Sequence, residues 1–350
     1  MYSSIGHSQC PANMQRHYFV QLEKMPWFGR RGCFGMGRWL LDKYVFKIQV
    51  EELGSDCRIL KYGDEIDMNV ELKYFSGTGN SYRILNTCKD KFIQNGCKAT
   101  LSSITDKSGI NEDTDLVGFC FPVYAFGIPR ICRNYLLSLP NSKKPINTFV
   151  LITAGDPDES GFSIKESTTI LKNKGLNVIY SDVIHMPSNW TVSMNPPSKE
   201  EAQLIINTGV IKAKEIVQNI LNGVPHHHAF NYPSRYSNFG FYKEYYLFKW
   251  LGVSNLWREF RTDETCDSCG LCEKICPTGS IQIVDNKPKW LKTCEQCMRC
   301  VNFCPKQAIF QKAEGSIKGK NIYYEPTFKP LKLKKHSKAN AADAKSRTAD

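Results

Sequence analysis

Apolar and polar residues alternate along the middle of the chain in a pattern that predicts strands and helices in turn. Short apolar runs typical of buried strands are separated by segments with the spacing of amphipathic helices. The predicted strands are Val70–Phe75, Lys98–Ile104, Asp115–Tyr124, Asn147–Gly155 and Leu176–Tyr180. The predicted helices are Tyr82–Gln94, Pro129–Leu139, Ser163–Lys174 and Lys199–Asn222. This alternation predicts an α/β fold with a five-stranded, doubly wound parallel sheet that helices cover on both faces.

The pattern changes on either side of this domain. Residues 1–68 show no sustained period of apolar and polar residues, and we expect them to form a poorly ordered N-terminal extension. The α/β domain then spans residues 69–224, and an aromatic-rich connector follows at 225–262. Residues 263–312 are predicted to form a second, small α+β domain. Residues 313–350 form a basic tail that we expect to be partly disordered.

Composition restricts the class of protein. Of the 350 residues, 41% are hydrophobic and 23% are charged, which are globular values that exclude a collagen or a coiled coil. No apolar run approaches the roughly 18 residues of a membrane span and no signal-peptide pattern is present, so we expect a cytoplasmic protein without a membrane partner. The net charge is +12, and about half of it comes from residues 311–350, with ten Lys or Arg against four Asp or Glu.

Cysteine is the residue with the most informative distribution. Eight of the fifteen cysteines lie within one short stretch, whereas a disulfide scaffold would spread them through the chain. They form two copies of the pattern C-x2-C-x2-C-x3-C-P, which begin 28 residues apart. The first copy contains Cys266, Cys269, Cys272 and Cys276, and the second contains Cys294, Cys297, Cys300 and Cys304. This compact spacing favours [4Fe–4S] clusters over zinc sites, the alternative, because zinc modules more often use separated Cys pairs or Cys with His.

The repeated block resembles the bacterial-type dicluster ferredoxins over about 50 residues, including Pro277 and Pro305. The resemblance implies that the fourth cysteine of each block ligates the other cluster. One [4Fe–4S] cluster is then held by Cys266, Cys269, Cys272 and Cys304. The other is held by Cys294, Cys297, Cys300 and Cys276. We expect the two clusters to relay electrons, and purely structural clusters are the alternative.

A glycine-rich loop joins the first predicted strand to the first predicted helix. It consists of Ser76, Gly77, Thr78, Gly79, Asn80 and Ser81. Its glycines permit a tight turn, its hydroxyls add donors, and the helix N-terminus adds positive potential. The loop lacks both the lysine of a Walker A motif and the third glycine of G-x-G-x-x-G. We therefore expect a cradle for a monophosphate, with an ordinary tight turn as the alternative.

Two further loops follow predicted strands at the edge of the sheet where open α/β folds bind ligands. The second loop consists of Pro122, Val123, Tyr124, Ala125, Phe126 and Gly127. The third loop consists of Thr153, Ala154, Gly155 and Asp156. Together with the glycine loop they resemble the flavodoxin pattern over about residues 69–224. The resemblance implies that FMN binds with its phosphate at the glycine loop and its ring between the other two loops.

The order of the two domains resembles the fused flavodoxin–ferredoxin proteins of anaerobes. The resemblance implies intramolecular electron transfer between FMN and two [4Fe–4S] clusters, in an electron carrier or oxidoreductase module. It also implies a redox protein partner of the ferredoxin-linked oxidoreductase or hydrogenase type. No catalytic acid–base pair stands out, so whether the protein is an enzyme stays open, as does its oligomeric state. The main alternative is a flavin-free docking module attached to a ferredoxin-type carrier. A basic nucleic-acid-binding protein with structural clusters is less favoured.

Overall fold

The computed structural model of the protein describes residues 67–192, 194–229, 238–247, 255–313 and 315–330. The predicted N-terminal extension lies almost wholly outside these ranges, and so does the end of the predicted basic tail. Both therefore stay predictions. Within the described ranges, no helix combines the length and hydrophobicity that a bilayer crossing requires.

Six parallel strands form the sheet of the first domain. They are β1 (Asn69–Tyr74), β2 (Lys98–Ser103), β3 (Leu116–Pro122), β4 (Ile146–Ala154), β5 (Leu176–His185) and β6 (His226–His227). Their order in the sheet is β2-β1-β3-β4-β5-β6. The first five strands thus have the order 2-1-3-4-5, which is that of the flavodoxin-like fold. The predicted doubly wound α/β class is confirmed.

Four helices cover the sheet, two on each face. They are α1 (Asn80–Gln94), α2 (Arg130–Ser138), α3 (Ser163–Asn173) and α4 (Lys199–Leu221). Because successive strand residues point to opposite faces, Leu116 and Cys120 of β3 join the core under α1 and α4. Phe119 and Phe121 of the same strand join the core under α2 and α3. The carboxyl ends of β1 and β3 meet at the edge that carries the predicted loops.

The sixth strand corrects the five-stranded prediction. His226 and His227, at the start of the predicted connector, pair with Tyr180 and Ser181 of β5. This pairing is possible because β5 extends to His185 instead of ending at Tyr180. Its outer edge has unpaired backbone groups, which the short extended segment satisfies.

The second domain is small and contains two antiparallel strand pairs. Strand β7 (Phe260–Thr262) pairs with β10 (Ile309–Gln311), and β8 (Ile281–Val284) pairs with β9 (Lys287–Trp290). In the described ranges, α5 (Asn238–Leu247) precedes this domain in the chain. The domain itself contains the single-turn helices α6 (Leu271–Ile275) and α7 (Arg299–Asn302). Asp285 and Asn286 form the β8–β9 turn with φ of 51° and 58°, as a two-residue type I′ hairpin requires. The predicted α+β architecture is confirmed.

Candidate functional site

Four cysteines from two distant segments line one cavity in the second domain. Cys276 directly follows α6, whereas Cys294 and Cys297 precede α7 and Cys300 lies within it. The last three are 8–9% exposed. We call this the inner cavity, and its apolar wall includes Phe260, Ile281 and Trp290.

A second cavity in the same domain is lined by the other four cysteines of the repeat. It is lined by Cys266, Cys269 and Cys272 of the first block together with Cys304 of the second. Cys269 is exposed, and the other three are half-buried. We call this the outer cavity. The fold therefore brings the fourth cysteine of each block to the first three of the other block.

The chain between the inner cysteines winds around the cavity. Gln296 and Met298 have φ of 56° and 55°, and these left-handed positions turn the backbone between successive cysteines. The N–H groups that donate to these sulfurs include the backbone N–H of Ser280, 3.2 Å from Cys276 Sγ, and Nε2 of Gln296, 3.7 Å from Cys294 Sγ. Such donors stabilise negative charge on sulfur and tune the potential of a cluster that the sulfurs hold.

Burial changes the acidity of the inner thiols. It raises the pKa of Cys294 to about 12 and holds the pKa of Cys300 well above its usual range. Burial also raises the pKa of Cys297 to about 11, against the opposing effect of the Arg299 charge. Since metals bind thiolate and not thiol, a metal centre in this cavity has to displace these protons.

The donor sets fit iron–sulfur clusters. In the part of the chain that the structure describes, no three Cys, His, Asp or Glu side chains converge closely enough to hold a single metal ion. Four thiols instead surround each cavity. Four cysteine thiolates are the ordinary donor set of a [4Fe–4S] cluster.

The glycine loop lies between β1 and α1, as predicted, but it is buried. Ser76, Thr78 and Ser81 are 3%, 2% and 0% exposed. Ser81 Oγ and Thr153 Oγ1 share a hydrogen bond of 2.8 Å, which joins the first and third predicted loops. A Cβ atom added to Gly77 would lie 2.9 Å from the hydroxyl oxygen of Tyr124 in the second loop. The fold therefore brings the three predicted loops together.

Residues of the other two predicted loops also contact protein groups. In the second loop, Tyr124 and Gly127 exchange backbone hydrogen bonds of 2.8 and 3.2 Å across a tight turn. Phe126 belongs to a small aromatic cluster with Phe162 and Tyr245. In the third loop, the Asp156 carboxylate accepts the N–H of Asp158 and caps the short 3-10 turn that follows.

The second domain covers the glycine loop. Arg299 of α7 donates from Nε to the Gly77 carbonyl at 2.8 Å and from Nη2 to the Ser76 carbonyl at 2.6 Å. A Cβ atom at Gly77 would collide with the carbonyl oxygen of Cys297. The predicted phosphate cradle is therefore occupied by Cys297 and Arg299, which both line the inner cavity.

Residues 315–330, which we call the C-terminal strap, cover the rest of the loop. The backbone N–H of Glu325 donates to the Thr78 carbonyl at 2.8 Å. A Cβ atom at Gly79 would lie 2.6 Å from the Cβ atoms of both Glu325 and Phe328. The Tyr323 hydroxyl lies 2.6 Å from Asn80 Oδ1, to which it donates. Sequence reasoning missed the strap, whose few buried apolar residues follow no regular period.

In this arrangement the loop does not fit the phosphate of FMN. Its hydroxyls have protein partners: Ser76 Oγ accepts the Gly79 N–H, and Thr78 Oγ1 accepts Nδ2 of Asn189 at 3.0 Å. Both glycines lie against protein atoms of the second domain or the strap. A phosphate would have to displace these groups before it could reach the backbone N–H donors.

A protein-family comparison matches the second domain. The family described as a 4Fe-4S dicluster domain matches residues 258–309, a range that contains all eight cysteines of the repeat. The chain thus joins a ferredoxin-type dicluster domain to a flavodoxin-like domain. No curated protein matches the chain.

Solved flavodoxins are similar to the α/β part of the chain at low sequence identity. A flavodoxin from the domain Archaea is 11% identical, covers 43% of this chain and 99% of its own, and gives a TM-score of 0.29. Two-electron reduced Megasphaera elsdenii flavodoxin is 16% identical, with coverages of 41% and 98% and a TM-score of 0.30. Oxidised flavodoxin 1 from Bacillus cereus is 14% identical, with coverages of 41% and 97% and a TM-score of 0.29. The flavodoxin-like fold of this chain follows from its strand order.

Proposed function

We propose that the protein is a one-electron carrier that holds two [4Fe–4S] clusters. Cys266, Cys269, Cys272 and Cys304 would hold one cluster at the outer cavity. Cys276, Cys294, Cys297 and Cys300 would hold the other at the inner cavity. When bound, such clusters supply reversible one-electron chemistry, while the protein supplies their position and electrostatics. The observation that carries the proposal is the gathering of cysteines from both blocks around each cavity.

The difference in exposure between the two cavities supports different roles for them. The outer cavity includes the exposed Cys269, so a redox partner docking there would come close to the metal centre. The inner cavity is shielded by Phe260 and Trp290, whose rings stack 5.2 Å apart at an interplanar angle of 19°. An apolar shell of this kind excludes water and influences the potential of the centre behind it. The outer cavity is therefore the proposed site of electron exchange with a protein of the ferredoxin-linked oxidoreductase or hydrogenase type.

The closed glycine loop supports a flavin-free docking role for the flavodoxin-like domain. Transfer between FMN and the clusters, the leading expectation from the sequence, would require the strap and Arg299 to leave the loop. The flavodoxin-like domain instead contacts two residues that line the inner cavity, Cys294 and Glu295. Arg130 at the start of α2 donates from Nη2 to the Cys294 carbonyl at 2.7 Å, and its Nε lies 3.4 Å from the carboxylate of Glu295.

Anaerobic purification with quantification of iron, acid-labile sulfide, zinc and flavin tests this proposal. We expect about eight iron and about eight sulfide per chain, with flavin far below one per chain. Incubation with excess FMN followed by desalting should leave the flavin content unchanged. Zinc in place of iron and sulfide would contradict the cluster assignment. One FMN retained per chain would contradict the docking role of the flavodoxin-like domain.

A further inference from the structure

Arg299 is a buried cation that is held by backbone carbonyl groups. It is 8% exposed and donates to the carbonyls of Ser76, Gly77 and Ile275 at 2.6, 2.8 and 2.8 Å. Its Cζ atom lies 5.4 Å from the ring centroid of Phe328. Among the residues that the structure describes, no carboxylate forms an ion pair with it. The guanidinium of an arginine carries one positive charge.

A buried charge of this kind needs compensation. Removing an ion from water without an opposite charge nearby is costly, and carbonyl dipoles offset only part of that cost. Carboxylates neutralise other partly buried cations of this chain, such as Arg130 beside Glu295 and Lys73 beside Glu71. Within the described ranges, Arg299 therefore lacks the carboxylate partner that comparable side chains have.

The inner cavity is the place where a compensating anion would lie. Arg299 is one of the residues that line this cavity, and it lies between Cys297 and Cys300 in the chain. A cluster held by four thiolates is anionic, and it gains a further negative charge on reduction. A fixed, poorly hydrated cation beside it stabilises the reduced form more than the oxidised form, because Coulomb interactions are strong where water is excluded.

The outer cavity has a different electrostatic environment. Its wall includes Lys306, which is exposed, so water and salt screen the charge of that ammonium group. Asp267 also lines the outer cavity and has the opposite charge. The two cavities therefore present the same four-cysteine donor set in different electrostatic surroundings.

We propose that the charge of Arg299 offsets part of the negative charge of the inner cluster and raises its reduction potential, and that the glycine loop anchors this arginine. The loop then acts through its carbonyl oxygens, which fix the guanidinium beside the inner cavity, and not through N–H groups that bind a phosphate. This inference rests on the proposed function, since it requires a cluster in the inner cavity.

Potentiometric titration followed by EPR spectroscopy of the full-length, cluster-loaded protein tests the inference. Arg299→Gln should lower one of the two midpoint potentials and leave the other unchanged. The affected potential should be the one whose signal is missing in Cys276→Ser. Arg299→Lys keeps the charge and should preserve most of the wild-type potential. Lys289→Gln, which removes an exposed positive charge from the same domain, should change neither potential.

Each outcome separates this inference from the proposed function. If wild-type protein lacks iron and sulfide, the proposed function fails. If Arg299→Gln binds both clusters with unchanged midpoint potentials, the charge of Arg299 has no tuning role. The same conclusion follows if Arg299→Gln and Arg299→Lys lower the same midpoint potential equally. Should Arg299→Gln lose the inner cluster, recovery of that cluster in Arg299→Lys supports the proposal. Loss of the cluster in both variants would contradict it.

Discussion

The backbone N–H of Glu325 donates a 2.8 Å hydrogen bond to the carbonyl oxygen of Thr78. This contact ties the C-terminal strap to the loop that would bind a phosphate in a flavodoxin. The Glu325 side chain is itself buried, and its carboxylate accepts the N–H and the hydroxyl of Thr327 at 2.9 and 2.6 Å. The strap is therefore an ordered cover whose removal would expose the glycine loop.

Substitution of Gly79 tests this cover. Gly79 has φ of +117°, and a Cβ atom there would lie 2.6 Å from the Cβ atoms of Glu325 and Phe328. Gly79→Ala should lose about 1–3 kcal/mol from backbone strain alone, lower the melting temperature by several degrees, and speed proteolysis within the strap. Gly223→Ala is the matched control because Gly223 also has a positive φ, of +69°, but open space surrounds it. Equal melting temperatures and equal proteolysis rates in the two variants would contradict the packed cover.

The arrangement of cysteines predicts which substitutions share a phenotype. Cys276→Ser should abolish the same EPR signal as Cys294→Ser, because both residues line the inner cavity. Cys304→Ser should abolish the same EPR signal as Cys269→Ser, because both residues line the outer cavity. Each variant should fall from about eight to about four iron per chain. If Cys276→Ser instead matched Cys269→Ser, each sequence block would hold its own cluster and the crossed assignment would be wrong.

The cysteines inside the flavodoxin-like domain should be chemically inert. Cys88, Cys120 and Cys132 are fully buried. Burial raises the pKa of Cys88 to about 12 and holds those of Cys120 and Cys132 well above the usual range. Because thiolate is the reactive form, iodoacetamide should leave all three unmodified in the native protein from pH 8 to pH 10. Peptide mass spectrometry, with denatured protein as the control, would detect any native-state labelling that contradicts this.

The buried carboxylate of Glu71 on β1 predicts that the free energy of unfolding depends on pH. Burial alone would raise the pKa of Glu71, but hydrogen bonds from Lys73, the Asn111 backbone and Thr114 outweigh it and lower the pKa below 4.5. The stability that Glu71 contributes is therefore fully present above pH 4.5 and is lost as the pH falls through the lower folded-state value. Glu71→Gln should cost about 1–3 kcal/mol near neutral pH.

Melting curves of wild type and Glu71→Gln between pH 7 and pH 4 measure this effect. The gap between the two melting temperatures should narrow as the pH falls below 4.5. Glu112→Gln is the control, because the exposed Glu112 lies 3.9 Å from the equally exposed Lys143 and such pairs contribute little. A gap that stays constant with pH would contradict the assigned role of the Glu71 charge.

Features encoded by nearby residues could be predicted from the sequence. The strands and helices of the sheet follow from hydrophobic period, and the cysteine repeat follows from ligand spacing within a few residues. The position of the glycine loop between β1 and α1 follows from the same kind of local signal. The two histidines of β6 could not be assigned, because two residues have no period and pair only where β5 leaves an edge open.

The state of the glycine loop depends on residues far away in the chain. Arg299 and Gly77 are separated by 222 positions, and no pattern around either residue indicates the other. The two glycines that suggest room for a phosphate equally permit close approach of another backbone. The local motif therefore predicts the turn correctly but cannot distinguish a phosphate from a packed protein segment as its occupant.

Counting electrons tests the central claim most directly. Anaerobic reductive titration of the purified protein with dithionite, monitored by absorbance, measures how many electrons one chain accepts. Two one-electron clusters without a flavin predict about two electrons per chain, with bleaching of the broad iron–sulfur absorption only. Uptake of about four electrons, accompanied by loss of flavin absorption bands, would contradict the account of a flavin-free, two-cluster carrier.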